Sequence, residues 1–167
     1  LMIRPVAFRM NEQTAVNNYY QKVLDGLTPA NVNEKAQQEF DTFVNKLRMV
    51  GIDVTVVDDT LDPDTPDSIF PNNWISFQKD DRVAIYPMFA VNRRSERQLN
   101  IVDKINEHGF NKSQVVDYSV YEKENRFLEG TGSMIFDRAN RLAYAALSPR
   151  TDEELFLWFS PNYFQLA

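Results

Sequence analysis

At 167 residues and 19.4 kDa the chain is long enough to bury a core, and 43% hydrophobic with 25% charged residues excludes disorder and collagen-like structure. Eighteen Lys and Arg against twenty-four Asp and Glu give a net charge of -6 and a pI near 4.8, the wrong sign for a phosphate-backbone binder, so nucleic acid is not expected as a partner. No cysteine is present and His108 is the one histidine, which removes disulfides, thiolate ligands, a thiol nucleophile and multi-histidine sites from this chain; the longest apolar run, Val83 to Val91, is about half a bilayer span, so a cytoplasmic protein without membrane contact is expected.

Met2 to Phe8 alternates loosely and reads as a strand. A polar stretch with Thr14, Asn17 and Asn18 follows, and Thr28-Pro29-Ala30 opens a helix with a hydroxyl cap and Pro in the first turn. Along that helix Phe40, Phe43, Val44, Leu47 and Val50 recur at spacings of three and four, predicting one buried face, and Gly51 ends it. Asp53 to Val57 is short and rich in β-branched residues, a strand. The acidic stretch from Asp58 to Asp67, interrupted by Pro63 and Pro66, reads as a solvated loop, since its spacing is not that of a calcium loop.

From there the chain repeats. Fifty-nine residues apart, Phe77 matches Phe136, Arg82 matches Arg141 and Ala84 matches Ala143, while Val83 and Met88 match Leu142 and Leu147. Both segments read as strand, tight turn, strand, helix, with turns at Lys79-Asp80-Asp81 and Arg138-Ala139-Asn140 and helices starting near Arg93 and Asp152. The first of these helices closes at His108-Gly109, which makes His108 a helix-capping residue, and Gln114 to Asp117 returns as a strand. The fold class expected is therefore α/β, built on a repeated ββαβ unit of about sixty residues. The opening stretch supplies strand, helix, strand, and the closing stretch two strands and a helix that Pro161 should end or kink, so the units run over roughly 1–68, 69–127 and a truncated 128–167 of one incomplete domain. The cluster Leu155, Phe156, Leu157, Trp158, Phe159, Tyr163 and Phe164 reads as a face that expects cover, from a second copy or from a missing C-terminal half.

Two loops enter the hairpins at equivalent places: Phe70-Pro71-Asn72-Asn73-Trp74 and Leu128-Glu129-Gly130-Thr131-Gly132-Ser133. Equivalent loops of a repeat cluster on one face, where polar residues ahead of buried strands form sites. The residues alone leave a plainer alternative open, in which Asn72-Asn73 is only a turn and Glu129 a solvated loop carboxylate. Gly130 to Ser133 lacks the lysine of a phosphate loop, and Trp74, Phe77, Tyr86 and Phe89 read as core aromatics.

Phe70-Pro71-Asn72-Asn73-Trp74, Tyr86-Pro87-Met88, Asn92-Arg93-Arg94-Ser95-Glu96-Arg97 and Phe127-Leu128-Glu129-Gly130-Thr131-Gly132-Ser133-Met134, in that order and spacing, resemble the guanidino-group-modifying (amidinotransferase) superfamily. Within it the chain is similar to the arginine deiminase-related proteins, including the citrulline-hydrolase-like group, from about Ile3 to Ala167. The resemblance implies a pentein fold, an α/β propeller of five ββαβ units, of which about half is present here. It implies that Asn72 and Asn73 bind substrate, Asn73 standing where arginine deiminases carry the Asp that grips the guanidinium, and that Arg93 binds the substrate carboxylate. It implies a catalytic role for Glu129, as the Glu of a Glu-Gly-Gly-Asp motif in which Gly132 here replaces the Asp. The small-molecule partner implied is an amino acid of arginine or citrulline type, with no metal and no cofactor.

In that superfamily a thiolate attacks the central carbon of a guanidinium or ureido group, and a histidine moves protons to the leaving amine and from water. The matching histidine and cysteine are not in this chain, so the expected function is that of an N-terminal portion of a guanidino- or ureido-group hydrolase, inactive alone. The alternative is a non-catalytic amino-acid-binding or assembly module on the same scaffold.

Overall fold

The computed structural model describes residues 1–16, 18, 21, 26–78 and 81–166, with the backbone alone at 98, 99 and 162–166. Its contacts divide the chain into two compact units, Leu1–Pro71 with Ala90–His108, and Asn72–Phe89 with Gly109–Ala167. Among the described residues no helix is long and apolar enough to cross a membrane.

In the first unit, β1 (Met2–Arg4) and β2 (Val56–Asp58) pair in parallel, Ile3 opposite Val57. A parallel pair needs a long crossover, supplied here by a short turn of helix, α1 (Glu12–Ala15), and by α2 (Pro29–Met49). The predicted cap of α2 forms in full: Thr28 accepts the Asn31 backbone N–H, and the Asn31 side chain accepts that of Thr28. Such caps contribute about 1 kcal/mol. At the other end Gly51 sits at φ 82, and the N–H groups of Gly51 and Ile52 return to the carbonyls of Arg48 and Leu47.

The apolar face of α2 is narrower than its spacing predicts. Val44 is buried and Phe40 and Leu47 are half-buried, but Phe43 and Val50 are 52% and 74% exposed. At 100° per residue these two fall roughly 60 to 80° round the helix from Phe40, and a sheet of two three-residue strands covers only a narrow stripe. The predicted helix after Arg93 is also broken. It comprises α3 (Val91–Arg94), a 3₁₀ segment Ser95–Leu99, and α4 (Ile101–Glu107), separated by Asn100 in the left-handed region at φ 48. His108 caps α4, exposed, as expected.

In the second unit, β3 (Ile75–Phe77), β4 (Arg82–Ile85) and β5 (Gln114–Asp117) form a sheet in the order β3-β4-β5, antiparallel then parallel. A second hairpin joins β6 (Met134–Asp137) to β7 (Leu142–Ala145), preceded by one helical turn, α5 (Gly130–Ser133), and followed by α6 (Glu153–Leu166). The hairpins repeat with a slip. Ile75 lies 59 residues before Met134, but Arg82 lies 60 before Leu142. Arg82 is in a strand, whereas Arg141, its match by sequence, is in the turn at φ 57. Residues 79 and 80 of the first predicted turn lie outside the described residues.

Helix α6 starts after Asp152, whose side chain accepts the Leu155 N–H at 2.7 Å. It runs through Pro161 instead of ending there. The carbonyl four residues back belongs to Leu157, on the exposed side, where water can replace the missing donor. The cluster read as a face expecting cover is divided: Leu155 and Phe159, each 2% exposed, pack with Ala84, Tyr86, Tyr118, Leu128 and Met134 against Phe156 and Phe136. Leu157 and Trp158 remain exposed, and the side chains of Tyr163 and Phe164 lie outside the described set. Trp74 and Tyr86 are core aromatics as expected; Phe77 and Phe89 are half-buried.

Candidate functional site

Within the second unit, Asn72 and Asn73 of the first motif loop meet the second motif loop. Pro71–Asn73 forms a 3₁₀ turn ahead of β3, and Glu129 stands at the start of α5 ahead of β6. Glycine allows the contact. A β-carbon at Gly130, which sits at φ +22, would overlap the Asn72 carbonyl oxygen and lie 3.0 Å from that of Asn73; one at Gly132 would lie 2.8 Å from Asn73 Nδ2. Asn72 donates through Nδ2 to Thr131 Oγ1 and, at 3.1 Å, to Asn73 Oδ1.

Glu129 is 1% exposed, so the solvated alternative is excluded. Its side chain accepts the Phe89 N–H through Oε1 at 3.0 Å. Its own N–H donates to Ser133 Oγ at 3.0 Å, and Ser133 Oγ donates to the Arg150 carbonyl at 2.7 Å while accepting from Thr151 Oγ1 at 2.9 Å. A buried carboxylate is thus fixed at the head of a loop braced by hydroxyls. Arg150, whose carbonyl takes that bond, has its Nε buried without a hydrogen-bond partner among the described residues, as has Trp74 Nε1. Neither Ser133 nor Arg150 was singled out from sequence as a site residue; Arg150 sits in an ordinary turn, and only burial distinguishes it.

Arg93 belongs to the first unit and is 3% exposed. It is held from two sides: Nε and Nη2 donate to Glu96 at 2.8 and 3.1 Å, and Nη2 also reaches the carbonyls of Phe70 at 2.9 Å and Asp67 at 3.4 Å. Any anion at Arg93 competes with Glu96. Burial pushes the Glu96 carboxyl up to about 7; Arg93 opposes the rise, and Asp67 and Asp59 add to it.

The acidic loop of this unit is half interior, which corrects the solvated reading. Asp59 accepts from Thr65 Oγ1 and Ser68 Oγ at 2.9 and 2.6 Å, and Asp67 from Asn11 Nδ2 and Thr14 Oγ1 at 2.8 and 3.0 Å. Both are under 7% exposed, sustained by those donors. Asp67, Asn11 and Asn92 border a cavity of about 780 Å³ in this unit, walled by Phe8, Val32 and Phe70. Among the described residues no cluster of His, Cys, Asp and Glu could hold a metal.

A pH dependence follows. Glu96 ordinarily titrates near 4.5, so between that value and about 7 the folded first unit retains a proton the unfolded chain loses. The stability tied to Glu96 is present in full below about 4.5 and falls as pH rises toward 7. Urea unfolding across pH 4 to 8 should show this decline, and Glu96→Gln should flatten it; an identical slope in the variant would sink the assignment.

The model of the family N,N dimethylarginine dimethylhydrolase, eukaryotic, matches residues 4–162. Among solved structures, the N-terminal domain of ArgZ covalently bound to a reaction intermediate is similar with a TM-score of 0.67 at 17% identity, covering 99% of this chain and 54% of that one. The same domain bound to substrate, from an arginine dihydrolase of the ornithine-ammonia cycle in cyanobacteria, gives 0.65 at 17% with the same coverage. A dimethylarginine dimethylaminohydrolase adduct with S-methyl-L-thiocitrulline gives 0.60 at 15%, covering 99% and 57%. The chain spans about half the length of these relatives. No curated protein matches it in sequence.

Proposed function

The chain belongs to the eukaryotic N,N dimethylarginine dimethylhydrolase family, within the guanidino-group-modifying superfamily, and on that premise we propose that the gene product containing it hydrolyses the guanidino or ureido group of an arginine- or citrulline-type amino acid. The supporting observation is Glu129: a carboxylate 1% exposed, held by the Phe89 N–H, in a loop that glycines fit against Asn72 and Asn73. A carboxylate so buried can orient a histidine or a substrate nitrogen in a dry setting. The thiolate and histidine of the Cys-His-Glu mechanism would come from outside this chain, which has no cysteine.

Asn72 and Asn73 would bind the reacting group. Carboxylate binding is carried over to Arg93, whose guanidinium is shared with Glu96; Arg150, with a buried Nε that has no partner among the described residues, in the unit that holds Glu129, offers a second cation for that task. About half of a five-unit pentein propeller in this chain, a cytoplasmic location, and cover of the exposed apolar side chains by a second copy or by further chain complete the proposal.

Asparagine at 73 matches a neutral ureido group better than a guanidinium, because charge-assisted bonds to a carboxylate are lost. The difference is about 1 to 3 kcal/mol against arginine. Ammonia and ornithine release from citrulline should therefore exceed turnover of arginine in kcat/KM, and Asn73→Asp should move the ratio toward arginine by roughly 5- to 150-fold. The isolated 167-residue chain should release nothing. A natural preference for arginine, or a ratio unmoved by Asn73→Asp, would overturn the reading of Asn73, and turnover of neither compound would overturn the proposed function.

A further inference from the structure

The Tyr86-Pro87-Met88 motif leads out of β4 into a turn of the second unit whose Pro87–Met88 peptide is held at both ends. Its carbonyl accepts the Leu128 N–H at 3.2 Å, and its N–H donates to Glu122 Oε1 at 2.8 Å. A planar peptide bonded on opposite edges cannot rotate about the chain. Pro87 fixes φ on one side of it, and on the other the Met88 side chain is fully buried. The next N–H along, that of Phe89, is the one that reaches Glu129 Oε1 at 3.0 Å. Glu122 and Glu129 therefore accept from consecutive N–H groups of one turn. Glu122 has a firm base of its own: it lies in the 3₁₀ segment Ser119–Glu124, where its carbonyl accepts the N–H of Asn125, which stands in the left-handed region at φ 55.

We infer that Glu122 is a positioning residue for Glu129, fixing through the Pro87–Met88–Phe89 backbone the direction from which Glu129 Oε1 is held. This rests on the proposed role of Glu129 in the reaction. A buried side chain that orients a histidine or a substrate nitrogen must present the same oxygen at the same angle in every turnover, and small misplacements are costly. Without the Glu122 acceptor, the Pro87–Met88 peptide is free to pivot about its remaining bond to Leu128, because the buried Met88 N–H must find another partner. The Phe89 N–H moves with that peptide and leaves Glu129. Glutamine at 122 keeps an acceptor oxygen at the same reach and lacks the charge, so it separates the hydrogen bond from the electrostatic field of a second carboxylate.

Two measurements keep the positioning apart from the chemistry. In the chain labelled with ¹⁵N and ¹³C, through-hydrogen-bond couplings should run from the Met88 amide nitrogen to the Glu122 side-chain carboxyl carbon and from the Phe89 amide nitrogen to that of Glu129. Both should persist in Glu122→Gln, and the Phe89–Glu129 coupling should vanish in Glu122→Ala. Its survival in the alanine variant, or its absence from the parent, overturns the positioning role whatever the protein acts on. In the active gene product Glu122→Ala should lower kcat by roughly ten- to a hundredfold with KM little changed, and Glu122→Gln should restore it. An unchanged kcat in Glu122→Ala, an effect confined to KM, or a glutamine variant as slow as the alanine one overturns the role. Should Glu122→Ala fail to fold, Glu122→Gln decides: couplings and kcat both kept support the acceptor role, and loss of either overturns it. Absence of turnover of both citrulline and arginine by the unmutated protein overturns the functional reading instead, and the couplings then decide the positioning alone.

Discussion

Replacing Phe159 by Ala should destabilise the second unit by about 3 to 5 kcal/mol, the range for deleting a large ring from a packed interior. Phe159 is 2% exposed, and its ring meets Tyr118 at 5.2 Å and Tyr86 at 5.5 Å, both edge-on, with Phe136 at 6.3 Å. Edge-to-face pairs add roughly 0.5 to 1.5 kcal/mol beyond area burial, so the truncation loses pair energy as well as volume. The ring also anchors α6 to both strand layers, since Tyr86 and Tyr118 follow β4 and β5 while Phe136 lies in β6. Denaturant unfolding should show a lower midpoint with unchanged slope. Leu157→Ala, at a site 60% exposed, should change stability by no more than about 0.5 kcal/mol. Equal effects from the two substitutions would show that α6 is not seated as described.

What could be read from the sequence was local, and what could not depended on neighbours distant along the chain. Thr28, Pro29 and Gly51 specify the ends of α2 through bonds within a few residues, and those ends are where the spacing put them. The 59-residue repeat that matches Phe77 with Phe136 likewise locates two hairpins, but one extra residue in the second turn shifts the pairing, and identities alone cannot register a one-residue slip in a turn. Asp59 and Asp67 looked like solvated acids because their donors, Asn11, Thr14, Thr65 and Ser68, mean nothing until the fold assembles them. Glu96 was hidden for the same reason: three residues from Arg93, it reads as an ordinary helical ion pair. Its complete burial gives that pair its consequence. Glu129 was identified by resemblance, and its environment could not be anticipated, because burial at the head of a glycine-rich loop depends on what packs against the glycines.

That dependence makes Gly130→Ala the most disruptive single-methyl change expected in the candidate site. Two effects act together. At φ +22 an L-residue is strained, and such conformations carry on the order of 1 to 3 kcal/mol where non-glycine residues are forced into them. The new β-carbon would also overlap the Asn72 carbonyl oxygen, a backbone atom that cannot swing aside as a side chain would. Relief requires separating the 130–133 turn from the 71–73 turn. Any such movement carries Glu129 with it, breaking the fit between its carboxylate and the Phe89 N–H and pulling on the Ser133 bonds to Glu129 and Arg150. Gly132→Ala differs in kind. No positive φ is involved, and its clash is with the end of the Asn73 side chain, which can rotate. Gly130→Ala should therefore lower the stability of the second unit by about 3 kcal/mol or more and abolish activity in the gene product. Gly132→Ala should leave the unfolding midpoint nearly unchanged while altering the discrimination that depends on Asn73. Comparing the two variants by denaturant unfolding and by the citrulline and arginine assays checks both halves. A Gly130→Ala protein as stable as the parent would mean that the two loops do not touch as described.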